Sequence, residues 1–238
     1  MLSANIEIRD HLAYLIAEYN DGKVEHFASG RLPSERELVE QFSSTRITVR
    51  DALSKLEAEG LIYRSNRRGW FVSPSRLVYD PSSRVNFYLL AAQQNKTPAT
   101  QLLSQRCIKG PIEARNALGL DVKEKLIELV RVRSLNGRPV LFETIYLPEK
   151  RFPKLNKARL EGSLTTLMEE EYAVNISYED NRIRVSAVYD QVAESLSLIK
   201  GAPCLEVTRI RYEGDQQAFE YDKEFWIHSA IELSVPSK

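Results

Sequence analysis

Two short helical patterns, separated by only a few residues, dominate the N-terminal third of the sequence. Ser34 follows a proline and stands three residues before Glu37, which is the spacing of a capping box and predicts a helix over residues 34–42. A second helix is predicted over residues 45–59, where Gly60 can supply the left-handed C-terminal cap. Two helices joined by so short a turn form a helix-turn-helix.

The second of these helices has one apolar face and an opposite face that is cationic at its start. At about 100° per residue, the predicted buried face consists of Val49, Ala52, Leu53 and Leu56. Ile47 falls on the far side between Arg46 and Arg50, with Thr48 at the edge. A solvated surface is one interpretation. The other is a DNA major groove, where Ile47 touches a thymine methyl while the arginines reach guanine edges or phosphates.

A two-stranded hairpin is predicted directly after this helix. Residues 61–64 and 70–72 are rich in β-branched and aromatic side chains, and they flank a polar turn that carries Arg67 and Arg68. Arginines at the tip of such a wing suit phosphates or the minor groove. Apolar residues at helical spacing over residues 6–19 predict one further helix before the helix-turn-helix.

Length and composition indicate a two-domain globular protein. The chain has 238 residues, of which 43% are hydrophobic and 28% charged, and its formal net charge is zero. An apolar run of about 18 residues, as a membrane span requires, is absent from the sequence, so a cytoplasmic protein is expected. Cys107 and Cys204 lie far apart with no histidine nearby, which argues against a disulfide framework and a zinc site.

The N-terminal sequence resembles the DNA-binding domain of the GntR family of bacterial transcription regulators. The resemblance covers residues 32–38, 45–53, 56–62 and 68–72. In that family, proteins usually bind a palindromic DNA operator as homodimers. The family positions that contact DNA match Arg36, Thr45, Arg46, Thr48, Arg50 and Gly69. One departure is Ser43-Ser44, where many members have a glycine and an apolar residue. We therefore expect a winged helix-turn-helix domain over residues 1–72.

The remainder of the chain is predicted to form a linker over residues 73–84 and an α+β domain over residues 85–236. Helices are predicted near residues 111–118 and 191–200, ending at Gly119 and Gly201 respectively. Each begins a unit of similar sequence. Leu126–Glu143 resembles Cys204–Glu220, which predicts two helix–hairpin units whose strands join one antiparallel sheet.

An Arg-x-Arg pair occurs in each unit, so both guanidinium groups lie on one face of a strand. The intervening Val132 suggests that the opposite face is packed. Whether Glu143 joins Arg131 depends on the hairpin register. A two-residue turn at Asn136-Gly137 would place them on opposite faces, whereas a three-residue loop would place them side by side.

This second domain resembles the UTRA effector domain of the HutC subgroup, which is similar in fold to chorismate lyase. The resemblance implies a cleft that binds an effector through Arg131, Arg133, Glu143, Ser163 and Glu220. It also implies that Asn86 and Phe87 close the cleft, and it places Trp226 where many members carry tyrosine. Because that geometry needs Arg131 and Glu143 on one face, we predict the three-residue loop.

Arginines that converge on a cleft suit a carboxylate, phosphate or phosphonate, because the guanidinium group pairs bidentately with such anions. Glu143 and Glu220 would then suit an ammonium group or hydroxyls of the ligand. The sequence from Arg67 to Pro81 most resembles phosphonate-utilisation regulators, which implies a ligand such as 2-aminoethylphosphonate. A sugar phosphate satisfies the same charges. No cofactor or metal is expected.

The sequence therefore predicts a repressor that a small anionic metabolite releases from DNA. One alternative is a chorismate-lyase-like enzyme, but the three histidines are scattered and the sequence has no recognisable nucleophile–base arrangement or phosphate loop. A second alternative is a DNA-binding protein without an effector, against which the repeated Arg and Glu positions argue.

Overall fold

The computed structural model describes residues 2–23, 27–65, 68–83, 86–155, 160–214 and 217–236. The chain divides after Arg76 into two compact units, residues 1–76 and 77–238. This division falls within the segment 73–84 that the sequence suggests as a linker. None of the described helices is both long and apolar enough to cross a membrane.

The first unit consists of three α-helices, with a short 3-10 helix (Ala28–Gly30) between the first two, followed by a two-stranded antiparallel hairpin. Its elements are α1 (Leu2–Asn20), α2 (Glu35–Gln41), α3 (Arg46–Ala58), β1 (Ile62–Ser65) and β2 (Gly69–Val72). The predicted capping box is confirmed, because the Ser34 Oγ accepts from the Glu37 amide at 3.3 Å and the Ser34 amide donates to Glu37 at 2.7 Å. The winged helix-turn-helix order is therefore confirmed.

The apolar face of α3 forms the centre of the first core. All four residues predicted to be buried there are inaccessible to solvent: Val49, Ala52, Leu53 and Leu56. They share one cluster with Leu12 and Ile16 of α1 and with Trp70 of the wing. Because this face is buried, the rotation of α3 is fixed and its opposite face points to solvent.

The second unit is built on a six-stranded antiparallel sheet. Its helices are α4 (Phe87–Gln93), α5 (Ile112–Ala117), α6 (Leu164–Tyr172) and α7 (Asp190–Ser195). Its strands are β3 (Leu77–Tyr79), β4 (Pro98–Ile108), β5 (Leu126–Leu135), β6 (Arg138–Pro148), β7 (Ile176–Ala187), β8 (Pro203–Glu213), β9 (Gln217–Ile227) and β10 (Ile231–Leu233). The sheet order is β4-β5-β6-β9-β8-β7, so the two predicted hairpin units meet at its centre. The short strands β3 and β10 pair in parallel beside it.

The loop between β5 and β6 differs from the sequence prediction. It is a two-residue turn, with Asn136 at φ 51° and Gly137 at φ 76°, so the predicted three-residue loop is wrong. A β-bulge at Val140 then shifts the register by one residue, and Arg131 comes to lie opposite Glu143. The predicted side-by-side arrangement of these two residues is thus achieved by a bulge.

Helix α7 is shorter than predicted, because it ends at Ser195 and not near Gly201. Ser197 adopts a left-handed φ of 56°, and the Leu198 amide bonds to the Ala193 carbonyl at 2.8 Å. This C-terminal closure packs Leu196 and Leu198 against the core. Ser197 therefore takes the terminating position that the sequence suggested for Gly201.

Candidate functional site

The first turn of α3 presents a solvent-facing surface that combines positive charge with an apolar group. Ile47 is 83% exposed although it is a large aliphatic residue, and Arg46 and Arg50 flank it in exposed positions. Thr45 caps the helix, since its Oγ1 accepts from the Thr48 amide at 3.2 Å. Arg50 donates to Glu35 at 2.7 Å, whereas Arg46 has no ion-pair partner among the described residues.

An open cleft lies between α2, the start of α3 and the wing, with an empty volume of about 860 Å³ that includes the solvent at its mouth. Four arginines line it: Arg31, Arg36, Arg46 and Arg64. Arg36 is only loosely paired, at 3.8 Å from Glu40. Arg31 was not among the residues that the sequence suggested. The signal that could have identified it is its position just before the capping box, where the chain bridges to Phe71 of the wing.

The tip of the wing is partly described. Gly69 has a φ of 102°, which L-residues rarely adopt, so glycine is needed there. The Arg68 guanidinium lies 5.2 Å from the ring centre of Phe71. Arg67 lies outside the described residues. The structure therefore brings Arg36, Arg46 and Gly69 together around the cleft beside the start of α3.

A second candidate site is a cavity in the C-terminal unit with an empty volume of about 520 Å³, including its opening. Seven of the eight residues that the sequence suggested for effector binding line it: Phe87, Arg131, Arg133, Glu143, Ser163, Glu220 and Trp226. The eighth, Asn86, lies behind Ser163 and donates to its Oγ at 2.9 Å. Asn86 also caps α4, so it connects that helix to the start of α6.

Glu143 holds both arginines of the first Arg-x-Arg pair. It accepts from the Arg131 Nε at 2.5 Å and from the Arg133 Nε at 2.9 Å. Arg131 is completely buried and Glu143 is 1% exposed. Burial pushes the pKa of Glu143 upward, but the two arginines push it down further, and its pKa lies below the ordinary value. Glu143 is therefore ionised within the core.

The second Arg-x-Arg pair is also fully engaged. Arg209 lies 2.9 Å from Glu224 and donates to the Tyr79 hydroxyl at 3.0 Å. Arg211 donates to Glu179 at 2.8 Å and to Glu220 at 3.0 Å. In the sequence repeat, Arg209 and Arg211 correspond to Arg131 and Arg133. The strand registers differ, however, because Arg131 lies opposite Glu143 in the first hairpin whereas Arg211, not Arg209, lies opposite Glu220 in the second. Each guanidinium therefore already has a carboxylate partner.

The apolar and aromatic wall of the cavity positions these charges. Arg133 lies 5.0 Å from the ring centre of Phe87, and Phe87 lies 6.2 Å from Trp226. Trp226 stands where many family members carry tyrosine, and its indole makes a hydrogen bond within the protein by donating to Glu224 at 2.7 Å. Ser163 caps α6 and accepts from the Thr166 amide at 3.2 Å.

Sequence reasoning identified Glu220 but missed two further acidic side chains on the same face of β9, Asp222 and Glu224. Glu220, Asp222, Glu224 and Trp226 alternate with outward-facing residues, so all four point into the cavity. Period-two alternation starting from Glu220 was the signal that could have identified Asp222 and Glu224. Oxygens of Glu143, Asp222 and Glu224 lie within 4.8 Å of one another.

Among the residues that the structure describes, Asp222 is the carboxylate in this row that has no hydrogen-bond or ion-pair partner. It is 2% exposed, and its Oδ1 is buried without a hydrogen bond. Burial, followed by the charges of Glu224 and Glu143, raises the pKa of Asp222 well above its usual value. The Glu220 Oε2 and the Arg131 Nη2 are also buried with no hydrogen-bond partner in the described residues. The cavity thus contains both donor and acceptor atoms that its own residues do not satisfy.

Two family models match the chain. The first, "Bacterial regulatory proteins, gntR family", matches residues 25–72, and the second, the UTRA domain, matches residues 93–232. Among curated relatives, the HTH-type transcriptional repressor NagR of Bacillus subtilis is 32% identical over 195 residues, which is 82% of this chain and 80% of that protein. A "probable fructoselysine utilization operon transcriptional repressor" of Shigella flexneri is 23% identical and covers 89% of this chain and 87% of that protein.

Solved structures show the same two-domain fold. The crystal structure of PhnF from Mycobacterium smegmatis has a TM-score of 0.67 and 24% identity, covering 97% of this chain and 99% of that chain. YydK from Bacillus subtilis has a TM-score of 0.60 and 21% identity, covering 99% of each chain. Together with the family models, these findings show that the chain belongs to the GntR family, as a HutC-type DNA-binding regulator with a UTRA domain, and is not an enzyme.

Proposed function

We propose that this protein is a cytoplasmic transcription repressor that binds a palindromic operator as a homodimer and is released when its cavity takes up a small anionic metabolite. The observation that carries this proposal is the exposed first turn of α3, where Ile47 has no structural reason to face solvent between two arginines. NagR and the fructoselysine relatives are both named as repressors, which supports repression and not activation for this protein.

In this proposal, the first turn of α3 reads base edges and the surrounding residues hold the DNA backbone. Arg46 and Arg50 reach guanines or phosphates, and Ile47 contacts a thymine methyl. The residues that complete the DNA surface are Arg36, Thr45, Thr48, Arg67, Arg68 and Gly69. The cationic cleft beside α3 supports this assignment, since phosphate contacts dominate DNA affinity.

We assign effector binding to the cavity of the second unit. The Nη2 of Arg131, which has no partner among the described residues, and the guanidinium of Arg133, which also lines the cavity, suit an oxyanion beside Ser163 at the start of α6. A phosphonate such as 2-aminoethylphosphonate fits the resemblance of residues 67–81, and the name of the fructoselysine relatives favours a sugar-derived ligand such as a sugar phosphate. The remaining residues of the assigned site are Asn86, Phe87, Glu143, Glu220 and Trp226.

Gel shifts test the repressor proposal directly. The wild-type protein is expected to retard DNA from upstream of its own gene neighbourhood, and saturating 2-aminoethylphosphonate or a sugar phosphate is expected to release it. The same ligand should raise the melting temperature, because a ligand that binds only the folded state stabilises it by mass action. Retardation that is unaffected by every stabilising ligand would overturn the sensor part of the proposal.

Tyr79 is placed to transmit ligand binding toward the DNA-binding domain. Its hydroxyl accepts from Arg209 inside the cavity, and it lies only three residues after the division at Arg76. Tyr79→Phe removes this hydrogen bond while it keeps the ring. We expect the variant to bind ligand and DNA but to lose most of the ligand-dependent fall in operator affinity, a factor of about 5–150 in a coupled regulator.

The control for this prediction is Tyr178→Phe, because Tyr178 is 58% exposed on β7 and is not part of the cavity lining. Operator affinity is measured by fluorescence anisotropy with and without ligand. If Tyr79→Phe and Tyr178→Phe both release DNA as the wild-type protein does, Tyr79 has no role in coupling.

A further inference from the structure

The charges around the cavity do not balance. Four arginines, Arg131, Arg133, Arg209 and Arg211, meet five carboxylates, Glu143, Glu179, Glu220, Asp222 and Glu224. Every arginine is paired with at least one of the four glutamates. Asp222 is the carboxylate left over, and within the described parts of the chain its Oδ1 has no hydrogen-bond partner although the residue is 2% exposed.

A buried carboxylate without a partner is costly, and natural proteins retain such groups where a ligand completes them. Asp222 lines the cavity and is not sealed within the sheet, so a ligand can reach it. Glu143 and Glu224 place oxygens within 4.8 Å of it, which makes this corner the most acidic part of the cavity. The missing group is therefore a hydrogen-bond donor that carries positive charge.

A divalent metal ion fits this corner poorly. Calcium and magnesium take about six or more oxygen ligands, but Glu143 already accepts from Arg131 and Arg133. Glu224 is likewise held by Arg209 and by the Trp226 indole. The surplus is one negative charge, which a single ammonium group neutralises with its three donors.

We propose that Asp222, supported by Glu143 and Glu224, forms an ammonium-binding subsite, so that the effector is a zwitterion with an amine at one end and an oxyanion at the other. This inference rests on the proposed function, because it assigns a chemical class to the same effector. The oxyanion lies toward Arg131, Arg133 and Ser163, and the amine lies toward β9. A metabolite that carries only negative charge would leave Asp222 uncompensated.

Two matched probe pairs test the subsite by isothermal titration calorimetry. The pairs are 2-aminoethylphosphonate with n-propylphosphonate and glucosamine 6-phosphate with glucose 6-phosphate, which differ at the amine. For the pair that binds, we expect the wild-type protein to favour the amine about tenfold or more. In Asp222→Asn this preference should fall to about one. Asp180→Asn on the other face of the sheet should keep it, since Asp180 does not line the effector cavity.

The ligand-free protein provides a second readout. The pKa of Asp222 is raised in the folded state, so its contribution to stability is present at low pH and is lost as the pH rises from about 4 through the folded pKa. Asp222→Asn removes this loss, and its melting temperature should exceed that of the wild-type protein by a margin that grows with pH. The charged and titratable groups that face Asp222 are Arg131, Arg133, Arg209, Arg211, Glu143, Glu179, Glu220, Glu224 and Tyr79, and the variant leaves them all in place.

The outcomes separate this inference from the proposed function. If n-propylphosphonate or glucose 6-phosphate binds and releases the operator as well as its amine counterpart does, the repressor proposal stands and the ammonium subsite is wrong. If none of the four probes binds, both the effector assignment and the subsite fail. A lower melting temperature of ligand-free Asp222→Asn, or stabilisation by magnesium or manganese alone that this variant abolishes, also overturns the ammonium subsite.

Discussion

Replacing Glu143 with alanine is expected to lower the free energy of unfolding by about 3–5 kcal/mol. Glu143 is the carboxylate partner of Arg131, whose side chain is completely buried, and it also holds Arg133. Without it, the Arg131 charge remains in the core with only two carbonyl contacts at 3.3 Å, to Leu160 and Gly162. Urea denaturation measures this loss without adding salt.

A double substitution distinguishes a broken ion pair from a lost packing contact. Arg131→Met combined with Glu143→Leu removes both charges of the buried pair but leaves Arg133 without its carboxylate, so it should be more stable than Glu143→Ala and recover most of the loss. Glu169→Ala, on the exposed side of α6, should change the free energy of unfolding by less than about 0.5 kcal/mol. Our description of the cavity is contradicted if Glu143→Ala is as stable as Glu169→Ala.

Replacing Arg46 with alanine is expected to abolish specific DNA binding. A good contact to a base edge contributes about 1–3 kcal/mol, or roughly 2–6 kcal/mol for both half-sites of a palindrome. That is a large share of the roughly 4–10 kcal/mol that separates specific from non-specific binding. Arg46 makes no ion pair among the described residues, so the loss reports on DNA and not on folding. Fluorescence anisotropy with operator and scrambled DNA measures the difference.

Lys55→Ala is the matched control, since Lys55 lies in the last turn of the same helix and pairs with Asp51 at 3.1 Å. It should retain specific binding. Arg46→Ala should also retain the thermal stabilisation by ligand, because the cavity belongs to the other unit. Normal operator affinity of Arg46→Ala would show that the recognition surface has been assigned to the wrong residues.

The DNA-binding unit could be predicted from the sequence because its signals are local. A capping box, a glycine cap and apolar residues at helical spacing fix the ends and the rotation of α3, and they place Ile47 on the outside. The contribution of Arg31 could not be read in this way, because it depends on the wing folding back beside α2.

The sequence repeat predicted that two hairpins form the sheet of the second unit. It did not predict which residues lie opposite each other in those hairpins. The Asn136-Gly137 dipeptide alone favours the two-residue turn that the structure has, whereas we predicted a three-residue loop from the resemblance, and that prediction is wrong. The bulge at Val140, which turns Glu143 toward Arg131, has no strong local signal. The second hairpin pairs differently, so the equivalence between the two Arg-x-Arg pairs does not extend to their partners.

The ion pairs of the cavity could not be predicted from the sequence either. Two arginines on a strand suggested a cationic cleft, but each of the four arginines around the cavity, Arg131, Arg133, Arg209 and Arg211, is paired with a carboxylate. Glu143, Glu220 and Glu224 lie on the neighbouring hairpin strand of the arginine that each pairs with, whereas Glu179 of β7 lies 32 residues before Arg211. The ligand class therefore follows from the surplus charge after pairing, which only the three-dimensional arrangement reveals.

Calorimetric titration of ligand into the free protein and into its operator complex tests most directly whether the cavity controls DNA binding. Coupling between two sites is reciprocal, so a ligand that weakens DNA binding must itself bind the DNA complex more weakly by the same factor. With whichever of 2-aminoethylphosphonate and glucosamine 6-phosphate binds the free protein, we expect an affinity for the complex that is about 5–150-fold lower. Equal affinity for the two forms would contradict the account.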